Sequence, residues 1–207
     1  FTFILSACSP AAAPTAPPPQ PTNTPPPADT PVPLPSATPE ITLFFDDFEG
    51  TLADGWSWQN EDLARWGFTP EGWLTLKAAN PGFFSEEGSQ QVNLLKRPAP
   101  EGDFVITTRL STMPDENFQQ AGISIISDDM NYAAILNAFC QFCLPDSGGH
   151  GFFMESFKAG QYAAQGMIQA APQVEEVFLR LVYHAAEGRV EGFYALEPDA
   201  WQSLGTI

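Results

Sequence analysis

The chain has 207 residues, about the length of one domain with a tail. Its 8 basic and 25 acidic residues give a net charge of -17, so the phosphate backbone of nucleic acid would be repelled. No stretch approaches the roughly 20 consecutive apolar residues that a membrane-spanning helix needs. Apolar residues nevertheless make up 43% of the chain and include 17 Phe, so part of it must fold around a substantial core.

Residues 1–8 are a short apolar run that ends at a cysteine. Leu5, Ser6, Ala7 and Cys8 resemble the lipobox of bacterial lipoproteins, in which a signal peptide ends and the cysteine becomes the lipid-modified first residue. The resemblance implies that the chain begins inside a signal peptide. It also implies that the protein is outside the cytoplasm and contacts a bacterial membrane through the lipid on Cys8 alone.

Residues 9–40 form a Pro/Thr-rich segment that contains 13 of the 21 prolines. Because proline removes backbone donors and fixes φ, we expect a disordered, polyproline-like linker rather than a helix. At about 3.1 Å per residue the linker could hold a folded domain on the order of 100 Å from its anchor.

Residues 41–207 show the two-residue alternation of β-strands. In Phe104–Leu110 one face takes Phe104, Ile106 and Leu110, and Arg109 lies on the other. Strands are predicted at Trp73–Ala78, Gln91–Arg97, Phe104–Leu110, Gln120–Ser127, Tyr132–Phe139, Gly151–Lys158, Tyr162–Gln169, Val177–Tyr183 and Arg189–Leu196. Turn residues separate several of these runs and no comparable amphipathic helix occurs, so we predict an all-β fold, an antiparallel two-sheet β-sandwich of the jelly-roll type.

A family resemblance covers nearly all of residues 41–207. It is carried by these segments in this order: Phe45–Gly50, Trp56–Trp58, Gly72–Leu76, Asn93–Arg97, Phe104–Leu110, Gln120–Ile123 and Asp128–Tyr132. The series resembles the concanavalin A-like, laminin G-like jelly rolls found at the C-terminus of family 43 β-xylosidases and in bacterial surface proteins. Members usually carry a further strand after the segment that corresponds to Trp201–Gly205, so the resemblance implies a domain truncated at its C-terminus.

The resemblance also implies a structural calcium ion between the first and last strands of the jelly roll. Asp46, Asp47 and Glu49 would supply the first half of that site. The strand expected to supply the other half is missing, so no cofactor is required by the prediction.

Carbohydrate binding would use aromatic rings stacked on sugar faces, with a few polar groups that fix the hydroxyls. Trp56 and Trp58 would point the same way in a strand and form such a platform, while Arg97, Arg109 and Gln120 would bring polar groups to a sheet face. The alternatives are that the tryptophans are core residues and that the arginines pair with the many carboxylates.

Cys140 and Cys143 are close in sequence and have two readings. A zinc site with Asp146 and His150 is disfavoured because a second Cys pair is missing. A disulfide is expected outside the cytoplasm, but residues three apart in a strand lie about 10 Å apart, beyond the roughly 7 Å limit for bridging. We therefore predict that the strand turns by Cys140 and that the two cysteines are bridged.

The sequence carries no enzymatic motif that we can identify. Related jelly-roll glycosidases place their carboxylates in a Glu-x-Asp-x-x-Glu arrangement, which is missing, and neither His150 nor His184 accompanies a nucleophile motif. The favoured prediction is a non-catalytic, surface-anchored module that binds a neutral glycan. The alternatives are a structural module that binds an envelope protein and an accessory domain of a larger glycoside hydrolase.

Overall fold

The structure is a computed structural model that describes residues 44–78 and 93–207, with the backbone alone at residues 164–166. The predicted lipobox, the predicted linker and the start of the predicted strand at Gln91 lie outside the described residues. The described residues form twelve strands and one 3-10 turn, Pro145–Ser147. The strands are β1 Ser57–Gln59, β2 Trp66–Phe68, β3 Leu74–Leu76, β4 Leu94–Lys96, β5 Phe104–Ser111, β6 Gln120–Asp128, β7 Asn131–Phe139, β8 His150–Lys158, β9 Gln161–Ala170, β10 Glu176–His184, β11 Arg189–Ala195 and β12 Gln202–Thr206.

Two four-stranded antiparallel sheets dominate the domain. Sheet I joins β6, β7, β8 and β9 in chain order, so it is built from consecutive hairpins. Sheet II has the order β12, β11, β10, β5, which brings β5 beside a strand more than 60 residues later in the chain. Two further two-stranded pairs, β1 with β4 and β2 with β3, come from the N-terminal part. The predicted antiparallel two-sheet sandwich is confirmed.

The core lies between the two sheets, where apolar side chains from both inner faces meet. Ile135 and Met154 come from sheet I, and Leu179 and Leu181 come from sheet II; all four are completely buried. Burial of one such side chain stabilises the fold by about 1.5–3 kcal/mol. Gly192 permits this close approach, because a Cβ there would lie 2.6 Å from the Met154 sulfur.

Sheet II has an outer face that the alternation of its strands defines. On β5 the burial pattern alternates strictly, and Thr107 and Arg109 lie on the exposed side. On β10 the buried Leu179 and Leu181 alternate with Phe178, Arg180 and Val182, which face outward. Sheet I differs at β7, where both faces are buried and Tyr132, Ala134 and Leu136 form an apolar cluster on the outer side.

Candidate functional site

The N-terminal loop is organised around the carboxylate of Asp46. Its Oδ1 accepts a hydrogen bond from the Phe48 amide at 2.8 Å. Its Oδ2 accepts two more, from the Ala53 amide at 2.9 Å and from the indole Nε1 of Trp56 at 2.7 Å. Burial alone would raise the pKa of Asp46, but these hydrogen bonds and the Arg97 charge outweigh it and lower the pKa.

The same contacts bear on the expected calcium site. Both oxygens of Asp46 face hydrogen-bond donors, and Asp47 Oδ1 accepts the Glu49 amide at 3.4 Å. Across residues 44–78 and 93–207 no group of three or more Asp, Glu, His or Cys residues comes together to hold a metal. As placed, Asp46, Asp47 and Glu49 do not fit a calcium ion.

Trp56 and Trp58 do not form the predicted platform. Trp56 packs against Phe44 and Phe48, with ring centres 5.8 and 6.0 Å away. Trp58 packs instead against Trp66, at 4.7 Å. The physical reason is that β1 begins at Ser57, so Trp56 lies before the strand and the alternation does not apply to it.

Of the three polar residues predicted beside those rings, Arg97 lies near Trp56, with its guanidinium carbon 5.5 Å from the ring centre, and the other two lie elsewhere. Arg97 lies over Phe44, with the guanidinium carbon 3.1 Å from the ring centre, and its Nη1 is buried. Arg109 lies 4.4 Å from the ring centre of Trp73 and forms an ion pair with Glu176, as the alternative interpretation held. Gln120 begins β6 on the other sheet, where it is exposed. No single site unites the five residues.

Cys140 and Cys143 are joined by a disulfide in the structure. Strand β7 ends at Phe139, and the chain turns at Cys140, whose carbonyl accepts the amide of Leu144. The turn brings the two Cα atoms to 5.2 Å, within the range that a bridge allows. Bridged sulfurs cannot act as thiolate ligands, so these cysteines do not offer a zinc site.

A cluster that the sequence analysis did not single out lies on the outer face of sheet I. We call it the Tyr162 cluster; its members are Tyr132, Glu155, Phe157 and Tyr162. Both tyrosine hydroxyls donate to the Glu155 carboxylate, Tyr132 at 2.9 Å to Oε1 and Tyr162 at short range to Oε2. Phe157 stacks on Tyr132 with ring centres 4.8 Å apart and contacts Tyr162 at 4.3 Å. One carboxylate and three rings thus share a connected network.

The two tyrosines of the Tyr162 cluster differ in exposure. Tyr132 is 6% exposed, whereas Tyr162 is 58% exposed. Burial raises the pKa of each hydroxyl, and the negative charge and hydrogen bond of Glu155 raise it further. Both hydroxyls therefore remain protonated donors at neutral pH. Tyr162 contacts the Phe157 ring and donates its hydroxyl to Glu155, while more than half of the side chain is exposed.

Strand register explains why the cluster was not predicted. Tyr132 pairs with Phe157, and Phe157 pairs with Tyr162, so the three rings cross the sheet in one row. The β8–β9 register, however, shifts between Met154 and Ser156 and again between Ser156 and Phe157. Irregularities of this kind change which side chains meet, and alternation within one strand does not reveal them.

Chemically, the Tyr162 cluster combines the elements of a sugar-binding surface. Ile168 on β9 is 46% exposed and extends the apolar part of this surface. Glu155 on β8 lies between the Phe157–Tyr162 pair and the Phe153–Ile168 pair, where its carboxylate oxygens can accept hydrogen bonds. Among the described side chains on the outer faces of β7, β8 and β9, Glu155 is the one carboxylate. Such a surface can stack against a sugar ring and hydrogen-bond its hydroxyls.

The structure of the described part also bears on membrane insertion. Within residues 44–78 and 93–207 no helix is long and apolar enough to span a bilayer.

Comparison with known proteins places the domain in a family. No curated protein sequence matches the chain. One similar solved structure is a mutant of the GH43 protein BlXynB from Bacillus licheniformis, with a TM-score of 0.65 and 17% identity. The likeness covers 83% of this chain but 32% of that protein, so it concerns the fold of about a third of the larger molecule. Residues 45–207 match the family described as the β-xylosidase C-terminal concanavalin A-like domain, and the chain therefore belongs to that family.

Proposed function

We propose that residues 44–207 form a non-catalytic carbohydrate-binding module that uses the Tyr162 cluster. The module would be held outside the cytoplasm by a lipid on Cys8, at a bacterial membrane or cell surface. One observation carries the proposal: the Tyr162 ring is more than half exposed and yet is fixed by Phe157 and Glu155. A pre-ordered ring loses little conformational entropy when a sugar stacks on it.

The proposal of a module without catalysis rests on the carboxylates of this face. Glycoside hydrolysis needs an acid and a second carboxylate about 5–10 Å apart. On β7, β8 and β9 the described outer face presents Glu155 alone, and both of its oxygens accept tyrosine hydroxyls. Glu155 is thus suited to orient a ring and to accept a sugar hydroxyl.

The ligand class is suggested by the family. Its description names a β-xylosidase, so short β-linked xylose chains are the first glycans to test. They are neutral, which suits a chain whose net charge is -17.

The test is calorimetric titration of the full chain with xylo-oligosaccharides, supported by a glycan array. Tyr162→Ala should weaken binding about tenfold or more, which corresponds to roughly 1.4 kcal/mol of lost stacking. Tyr162→Phe retains the ring and should lose less. Phe118→Ala is the matched control, because Phe118 is another exposed ring, at 73%, that lies outside the cluster.

Two outcomes would contradict the proposal. Binding that is unchanged in Tyr162→Ala would place the glycan elsewhere. Absence of binding to every glycan would favour the structural alternative, in which this face contacts an envelope protein.

A second candidate is an accessory domain of a larger glycoside hydrolase. The observation that favours it is the fold shared with about a third of a GH43 protein, within a family described as C-terminal to a β-xylosidase. The reading frame around the gene tests this candidate, because a fused catalytic domain would support it and an isolated frame would contradict it.

A further inference from the structure

On the outer face of sheet II, Arg180 forms no ion pair with any carboxylate among the described residues. Across this sheet Thr107 lies opposite Arg180, Arg180 opposite Phe193, and Phe193 opposite Ser203. Directly opposed residues of antiparallel strands point to the same side, so the four side chains form one row across the face. Thr107 and Ser203, on the outer strands of the sheet, are exposed.

The guanidinium group of Arg180 is fixed in place by two contacts. Its carbon lies 4.1 Å from the ring centre of Trp201, and its Nε donates to Thr107 Oγ1 at 3.1 Å. Within the described part of the chain, neither Nη1 nor Nη2 makes a hydrogen bond or an ion pair. The side chain therefore presents two oriented nitrogen atoms, Nη1 and Nη2, whose N–H groups have no partner among the described residues.

Arg109 lies on the same face and differs from Arg180 because its guanidinium group is paired with a carboxylate. It also lies over a tryptophan, Trp73 at 4.4 Å, but its Nε and Nη2 both donate to the Glu176 carboxylate. The other nearby carboxylate, Glu191, is paired with Arg189 and His184. Glu176 and Glu191, on the same strand as Arg180 and on its neighbour, are thus paired with other basic residues.

The guanidinium group of Arg180 is available to a partner from outside the domain. The protein has 8 basic residues against 25 acidic ones, yet Arg180 makes no ion pair within the described residues. Guanidinium is planar and binds carboxylates through two parallel hydrogen bonds, and it prefers such a partner to water when the geometry is fixed beforehand.

We propose that Arg180 and Thr107 form a second binding site, which recognises the carboxylate of a uronic acid residue in a glycan. The carboxylate would accept from Nη1 and Nη2 of Arg180, and the Thr107 hydroxyl, whose oxygen already accepts from Nε, would donate to a further sugar oxygen. A net charge of -17 repels densely charged polyanions, so the fitting ligand is a neutral glycan chain with isolated acidic substituents. The site rests on the proposed function only in taking a glycan as ligand, since it lies on the other sheet from Tyr162.

The test compares two ligands with the full chain: xylotetraose, and a xylo-oligosaccharide of the same length that carries one glucuronic acid. Wild type should bind the acidic ligand more tightly, and the difference should shrink between 20 and 200 mM NaCl. Arg180→Gln should reduce affinity for the acidic ligand about tenfold and leave the neutral ligand unchanged. Arg109→Gln is the matched control, because it removes an arginine of the same face that already has a partner.

The outcomes separate this inference from the proposed function. Equal affinity of wild type and Arg180→Gln for the acidic ligand would overturn the site, even if Tyr162→Ala abolishes binding of xylotetraose. Competition by inorganic sulfate as strong as by free glucuronate would overturn the carboxylate assignment. Arg180→Lys, which keeps the charge and the stem but not the fork, provides a second variant if Arg180→Gln unfolds; full recovery of acidic-ligand affinity in it would also overturn the proposal.

Discussion

At the scale of single residues, Asp46 shows how one carboxylate orders an irregular segment. Three donors from positions 48, 53 and 56 converge on its two oxygens, so a loop without regular hydrogen bonds is closed by one side chain. Hydrogen bonds to a charged acceptor contribute more than neutral ones. The loop therefore depends on the negative charge of Asp46, and not only on its shape.

Asp46→Asn should destabilise the domain by about 1–3 kcal/mol, because the amide nitrogen would face donors and leave at least one of them unpaired. The measurement is the free energy of unfolding in urea at pH 7. Asp47→Asn is the control, since Asp47 accepts one long hydrogen bond, at 3.4 Å, and is exposed. Equal losses in the two variants would show that the convergence on Asp46 has no special weight.

The same residue predicts an effect of pH. The pKa of Asp46 is lowered from 3.8 in the folded state, so its contribution to stability is present above 3.8 and is lost as pH falls through the lower folded value. The difference in unfolding free energy between wild type and Asp46→Asn should therefore shrink in acid. Because the other carboxylates titrate in both proteins, their contribution cancels when the two free energies are subtracted. A difference that is constant from pH 6 to pH 2.5 would contradict the assignment.

At the scale of elements, alternation predicted the long strands and the short strands β3 and β4, but not β1 and β2. The predicted strand Phe104–Leu110 is β5 in the structure, and the predicted strand Val177–Tyr183 is β10. Both could be predicted because each buries one face against the other sheet, which imposes the alternation. Strands β1 and β2 have three residues each, too few to show a period. Strand β12, Gln202–Thr206, lies in the part of the chain around Trp201–Gly205, where alternation predicted no strand.

The candidate sites were less predictable than the strands for a physical reason. The spacing of Trp56 and Trp58 predicted that both rings lie on one face of a strand. Strand β1 begins at Ser57, so Trp58 lies in the strand and Trp56 lies before it. Glu155 reaches Tyr162 across the β8–β9 pair, where Phe157 lies opposite Tyr162. Arg180 faces Thr107 through a pairing of strands 73 residues apart in sequence. Long-range register is not contained in any local pattern.

Strand packing predicts the cost of a methyl group at Gly151 on β8, a strand flanked on both sides. A Cβ there would lie 2.4 Å from the Gln169 carbonyl oxygen and 2.4 Å from a Leu144 methyl carbon. Because β8 pairs with both β7 and β9, it cannot move aside, and Gly151→Ala should cost about 1–3 kcal/mol in unfolding free energy.

Gly67→Ala on β2 provides the control for Gly151→Ala. No heavy atom lies within 4 Å of the added carbon at Gly67, so the free energy of unfolding should change by no more than about 0.5 kcal/mol. Similar midpoints for the two alanine variants would mean that sheet I adjusts to the added methyl group.

At the scale of the whole molecule, the two outer faces carry opposite local chemistry on one acidic domain. Sheet I presents rings around a carboxylate, and sheet II presents a guanidinium without an acidic partner among the described residues. The interior is filled by the side chains of both sheets, so the faces are separate surfaces supported by one core.

The free energy of unfolding should fall at alkaline pH, both because the chain carries excess negative charge and because of the tyrosines of the Tyr162 cluster. An unfolded tyrosine ionises near its ordinary pKa of 10.0, whereas Tyr132 and Tyr162 keep their protons in the fold because of burial and Glu155. As pH rises above 10 the unfolded chain releases protons that the folded chain retains, so the free energy of unfolding must fall. Urea midpoints between pH 8 and 11 should fall more steeply for wild type than for the double variant Tyr132→Phe and Tyr162→Phe. Parallel slopes would show that these hydroxyls titrate alike in both states and that Glu155 does not hold their protons.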